Sequence, residues 1–184
     1  HALACMFSPD EKGEDHKWKF FFTPTPDASW QGSQMVLTYF DENTQTENQR
    51  KYRKSTDRWS PRYTSRPKRD VFYLGIDSGL PEIEKERQTS YIDYHTSVSE
   101  DRLAERIVHT AAQILCKDYQ SLTDHAVKNK HFFGVRTLSD INYSALSMGA
   151  GEQRLIKILT VVYHAAPYSL ILIDEIDLLL HSNA

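Results

Sequence analysis

Leu170-Ile171-Leu172-Ile173-Asp174-Glu175 is a run of four aliphatic residues that ends in two acids. A continuous apolar run of that kind predicts a central parallel strand, buried on both faces. Such strands carry their last residues to the sheet edge where α/β proteins bind ligands. Two carboxylates at that edge suit metal-dependent phosphate chemistry, Asp174 holding Mg²⁺ and Glu175 polarising an attacking water. The run reads equally as a core strand followed by acids that cap the next helix.

What separates these readings lies upstream, in Leu146-Ser-Met-Gly-Ala-Gly-Glu-Gln-Arg154. This glycine-containing loop opens directly into an amphipathic helix with Leu155, Ile156, Ile158, Leu159 and Val162 on its buried side. Backbone N–H groups at a helix start, unobstructed at glycines, form an anion site, and Ser147 adds a hydroxyl donor. A turn at Ala166-Pro167-Tyr168 then leads into the aliphatic run.

With loop, helix, turn and acid-ended strand in that order, Tyr143–His181 resembles the ABC-type ATPase superfamily, in particular its SMC-like and OLD-like (overcoming lysogenisation defect) branches. Leu146–Glu152 resembles the signature motif and Leu170–Glu175 the Walker B motif. Asp174-Glu-Ile-Asp177-Leu-Leu-Leu-His181 is similar to the SMC-type continuation into the D-loop. The resemblance implies an α/β fold in which an antiparallel β-rich lobe accompanies a helical signature region and a buried Walker B strand. ATP and Mg²⁺ are the implied cofactors, with Asp174 serving the metal and Glu175 acting as catalytic base. Ser147, Gly149, Gly151 and Glu152 would reach ATP held by a second protomer, with Asp177 and His181 at the interface. A homodimer or higher oligomer follows from that arrangement.

The chain also departs from the family pattern. The signature has two more residues between Ser147 and Glu152 than the shortest family form, and His181 stands where many SMC-like proteins have Asp. No GxxxxGK[ST] phosphate loop occurs, and the resemblance places one N-terminal to His1. These residues are therefore expected to be a piece of a longer protein and, alone, to bind ATP poorly and hydrolyse none.

The first part of the chain reads as β-rich. Trp18–Thr23, Gln34–Phe40 and Arg69–Ile76 have the aromatic and β-branched content of strands. Between the last two lies a polar insertion, residues 41–69, acidic at first and then basic: Arg50, Lys51, Arg53, Lys54, Arg58, Arg62, Arg66, Lys68 and Arg69, interleaved with Tyr52, Trp59 and Tyr63. It reads as a solvated loop or hairpin with aromatic anchors, or as a contact for the phosphates of ATP or nucleic acid. Trp18, Trp30 and Trp59 read as packing residues. From Ser97 the pattern becomes helical: Ser97 and Glu100 fit a capping box, and Leu103, Ile107, Ala111 and Leu115 share one face. That helix should reach Lys117, with a second short helix from Tyr119. The expected organisation is a β-rich lobe over residues 1–98 and a signature and Walker B part over 99–184, both within one ATPase domain.

Composition bounds the function. At 40% apolar and 26% charged, the chain has a globular protein's capacity for a core, and its net charge of -3 argues against whole-surface attraction to nucleic acid. Cys5 and Cys116 stand far apart, which suggests a reducing compartment without disulfides. No secretory signal or membrane-spanning run is recognisable, so a soluble, cytoplasmic protein is expected. The eight His lack HExxH or zinc-ligand spacing, and no GxSxG elbow supports a hydrolase triad. The layout of the β lobe and following helix is similar to stand-alone antiphage-defence ATPases such as Septu, PARIS and retron-associated ATPases. That likeness implies nucleotide-dependent control of a toxin or nuclease effector. The alternatives are a nucleotide-sensing scaffold that does not hydrolyse ATP and an SMC-like DNA-maintenance ATPase.

Overall fold

Alternation and helical periodicity divide the chain into short strands and two substantial helices, and the computed structural model describes residues 2–62, 65–86 and 91–177. The fold is mixed α/β, with five α-helices and eight strands among the described residues. It separates into two compact units: residues 1–73 with 166–172, and residues 74–165 with 173–184. No described helix is long and apolar enough to cross a membrane.

In the first unit, β1 (Gln34–Asp41) and β2 (Thr46–Arg53) pair antiparallel, from Gln34 opposite Arg53 to Asp41 opposite Thr46. Much of the polar insertion is therefore a hairpin. Tyr52 is its aromatic anchor: fully buried, it donates its hydroxyl to the Met6 carbonyl at 2.6 Å. Helix α1 (Ala2–Met6) packs with Trp18, Leu37 and Val71 in one core cluster. Trp18–Phe21 is a single helical turn, α2, rather than the expected strand. The Trp18 ring lies against Trp59 and Tyr52, and this aromatic packing overrides the strand preference of Trp-Lys-Phe-Phe.

The expected strand over Arg69–Ile76 shortens to β3 (Val71–Leu74), which pairs with β8 (Leu170–Ile173). Bonds from Leu170 N–H to the Asp70 carbonyl at 2.8 Å and from Asp174 N–H to the Leu74 carbonyl at 3.0 Å advance together, so the strands run parallel. Only β3 flanks β8 among the described residues, and every residue of β8 is half-buried. The aliphatic run is thus a parallel strand, as expected, but not one sealed on both faces. Just before β3, the Asp70 carboxylate accepts the backbone N–H groups of Asp10, Glu11, Lys12 and Gly13 at 2.8–3.2 Å. Burial alone would raise the Asp70 pKa, but these four donors hold it below the usual carboxylate value.

The second unit is a four-stranded antiparallel sheet in the order β4 (His95–Val98), β5 (Tyr119–Val127), β6 (Lys130–Thr137), β7 (Asn142–Ser144), together with α4 (Ala104–Leu115) and α5 (Ala150–His164). A short helix, α3 (Glu82–Lys85), precedes the sheet. Two expectations fail here. Ser97 lies in β4, opposite Asp124, so it caps nothing, and α4 starts seven residues later; the Leu103 N–H is instead bound by the Asp101 carboxylate at 2.9 Å. The segment from Tyr119 is a strand, closed onto β6 by a two-residue turn in which Lys128 takes a left-handed φ of 53°. Ile107, Val108 and Ala111 of α4 pack with Leu122 and Val135 of the sheet and with Leu155, Ile156 and Leu159 of α5.

His125 sits fully buried in this sheet, its Nδ1 3.0 Å from the Thr96 hydroxyl and its Nε2 3.0 Å from that of Thr123. A Cβ on Gly134 would come within 2.4 Å of that Nε2, so glycine is what leaves room for the ring. Burial lowers the His125 pKa despite the neighbouring Asp124 carboxylate. The unfolded chain then binds the proton more tightly, so stability holds above the unfolded value of about 6.5 and falls as pH drops through it. Thermal melts between pH 7.5 and 5 should show this decline. His125→Phe should flatten it partly, because His16 is shifted in the same direction. An unchanged slope in the variant would remove His125 as a source.

Candidate functional site

The signature-like segment turns through Ala145–Ser147, a 3-10 turn opened by the Ser144 hydroxyl, which accepts the Leu146 N–H at 3.3 Å. Gly149 is the N-cap of α5. The first intrahelical bond joins Gln153 N–H to the Gly149 carbonyl at 3.1 Å, which leaves the N–H groups of Ala150, Gly151 and Glu152 without intrahelical acceptors. Ser147 and Gly149 are exposed and Gly151 is half-buried, in the first turn.

Glu152 braces this helix start from within. Its carboxylate accepts the Gly149 N–H at 2.9 Å, the reciprocal half of a capping box whose other half a glycine cap cannot supply. It also accepts the hydroxyls of Tyr119 and Tyr143 and pairs with Lys117 at 3.4 Å. Burial alone would raise its pKa, but the Tyr119 hydroxyl, the Gly149 N–H and Lys117 together hold it below the ordinary value.

Gln153 ties the turn down. Only 1% exposed, it donates to the carbonyls of Ala145 at 2.7 Å and Met148 at 2.8 Å, and accepts the Glu82 N–H at 2.9 Å. Glu82 is itself paired with Lys157 of α5 at 2.6 Å.

The acid pair follows β8 directly. Asp174 is half-buried, while Glu175 and Asp177 are exposed. Glu175 holds a left-handed φ of 49°, an unfavourable conformation for a residue with a Cβ. Its backbone is pinned by Arg154, whose Nη2 donates to the carbonyls of Asp174 at 2.5 Å and Glu175 at 2.8 Å. Arg154 is 1% exposed, and its Nε and Nη1 are buried without a hydrogen-bond partner among the described residues. The α5 helix that begins at the Gly149 turn therefore reaches the acid pair through one buried guanidinium. His181, and with it the end of the D-loop-like stretch, lies outside the described residues.

No cluster of three or more His, Cys, Asp or Glu is placed to hold a metal among the described residues. Mg²⁺ commonly takes one or two protein carboxylates and completes its shell with water and phosphate oxygens. A half-buried Asp174 at the carboxyl end of a parallel strand suits that donor set.

Gln153 and Arg154 had no role in the sequence reading, although both follow directly on the signature-like stretch. The signal was available: they lie directly ahead of Leu155 and Ile156 on the buried side of α5, where a polar side chain needs partners. Compared with known proteins, the chain matches no family model, no curated protein and no solved structure.

Proposed function

We propose that this chain supplies the signature helix and the acid-bearing strand of an ABC-type ATPase. The observation that carries the reading is the Arg154 link, by which the helix opened at Ser147–Gly149 fixes the backbone of Asp174 and Glu175. In this reading Asp174 holds Mg²⁺, which screens the phosphate charge, and Glu175 takes the proton of the attacking water. The exposed Ser147 hydroxyl and the unpaired N–H groups of the first turn of α5 face the γ-phosphate of ATP bound to a second protomer. Glu152 acts on the phosphate indirectly, by holding the Gly149 N–H and shaping the turn. Nucleotide-dependent dimerisation is the output, and it controls a protein effector such as a toxin or nuclease.

The signature contact in trans is open to a direct test. In a protein carrying this segment together with a phosphate loop, ATP should double the mass measured by light scattering under conditions that block hydrolysis. Ser147→Arg should still bind ATP but remain monomeric, because the longer cation obstructs the facing nucleotide. ATP binding without any mass increase in the unsubstituted protein would defeat the reading.

A further inference from the structure

The hairpin and its following loop build a second feature, within the first unit and separate from the acid pair. Residues 54–61 leave β2 and return, with Arg53 and Ser60 exchanging backbone bonds at 2.9 and 2.8 Å. This closure sets Trp59 on Trp18, rings 4.3 Å apart and 15° from parallel, with Phe22 at 5.9 Å from Trp59. A cavity of about 800 Å³ opens beside them, lined by Trp18, Phe22 and Trp59 on its apolar side and by Lys19, Arg58 and Arg62.

The charges around that cavity are unbalanced. Arg58 and Arg62 are exposed and make no side-chain hydrogen bond or ion pair with described residues, and Lys19 lies 5.3 Å above the exposed Phe20 ring. Lys54 also lines the cavity, but its ammonium is spent on the Ser29 carbonyl at 2.7 Å. Asp57 is the one acid among the lining residues. The Trp59 Nε1–H is buried without a partner among the described residues, a donor left over at the aromatic wall.

We propose that this cavity binds a nucleotide unit, its base against the Trp59 wall and its phosphate between Arg58, Arg62 and Lys19. A flat π-system suits the ring stack, an anion suits the unpaired guanidiniums, and the space is of the size small-ligand sites use. The unit comes either from a free mononucleotide or from a single strand. Both share this chemistry. The site requires no ATPase activity and uses none of Ser147, Asp174 or Glu175.

The test is fluorescence anisotropy of a labelled short oligothymidylate with the 184-residue chain, titrated at several salt concentrations. A thymidylate probe lacks the triphosphate that an ATP site would select. The exposed double variant Arg58→Gln/Arg62→Gln should bind about tenfold or more weakly, and its log–log salt slope should flatten by about 1.4. Oligothymidylate should quench tryptophan emission, and Trp59→Phe should lose that quenching with an unchanged far-ultraviolet dichroism spectrum. Competition by thymidine monophosphate assigns the cavity to free nucleotides, whereas binding of the oligomer alone assigns it to a strand. Absence of binding, equal affinity in the double variant, or equal competition by heparin, a polyanion without bases, would each overturn the proposal. Glu175→Gln should leave all of these readouts unchanged, so this result stands or falls separately from the ATPase reading.

Discussion

Glu175→Gln is expected to lower ATP turnover by about 10²–10⁴-fold while sparing ATP affinity, the range over which a positioned general base acts. Glutamine preserves the volume and the backbone demands of the site but cannot take a proton. Those demands are considerable, because Glu175 is left-handed and its carbonyl is held by Arg154 at 2.8 Å. A residue kept in a sparsely populated conformation by a buried tie marks a place where geometry has been fixed at a cost. The exposed carboxylate is then free to meet a water at the nucleotide. The measurement is phosphate release under multiple turnover, beside equilibrium binding of a fluorescent ATP analogue, in protein that includes a phosphate loop. Equal turnover in variant and unsubstituted protein would remove Glu175 from the chemistry. Loss of binding alongside turnover would point to a structural role instead.

The largest expected effect on stability comes from Gln153→Leu, at about 3–5 kcal/mol. Leucine fills nearly the same space but strands the Met148 carbonyl and the Glu82 N–H, and leaves the Ala145 carbonyl with only the 3.3 Å bond from the Met148 N–H. Each buried group left unpaired costs about 1–3 kcal/mol. Ala145 is fully buried and Met148 is 4% exposed, so water offers little replacement. The urea midpoint should fall, and amide exchange at Glu82 should accelerate more than at residues of β6, because the lost bond is its own. A midpoint shift worth less than about 1 kcal/mol would mean that the Ala145–Gly149 turn is held by Glu152 and the 3-10 geometry without Gln153.

The two predictions draw on different kinds of information. The position of Glu175 just past a strand was legible in the sequence, because a four-residue aliphatic run ending in two acids sets those acids at the strand's end. For Gln153 the sequence marked only a polar residue on the buried side of a helix, not which carbonyls it would meet. The same limit explains the misread elements. Trp18–Phe21 has strand composition, but its ring stack on Trp59 comes from a loop forty residues away that local preference cannot see. The sequence predicts a short helix from Tyr119, but the place of β5 between β4 and β6 is set by pairing with residues on both sides. Residues 41–69 kept two readings open, and closure of the hairpin made Thr46–Arg53 a strand and residues 54–62 part of a cavity wall.

By itself the sequence determined the helix over residues 150–164, the strand over 170–173 and the order that places a glycine turn before one and two acids after the other. These follow from periodicity and from glycine chemistry, which act over a few residues and are therefore written locally. Tertiary structure alone decided that β8 pairs parallel with β3, that Arg154 reaches the Asp174–Glu175 backbone, and that Trp18 meets Trp59. A buried guanidinium must find acceptors and an aromatic face must find cover, but which ones they find depends on chain segments far apart in sequence.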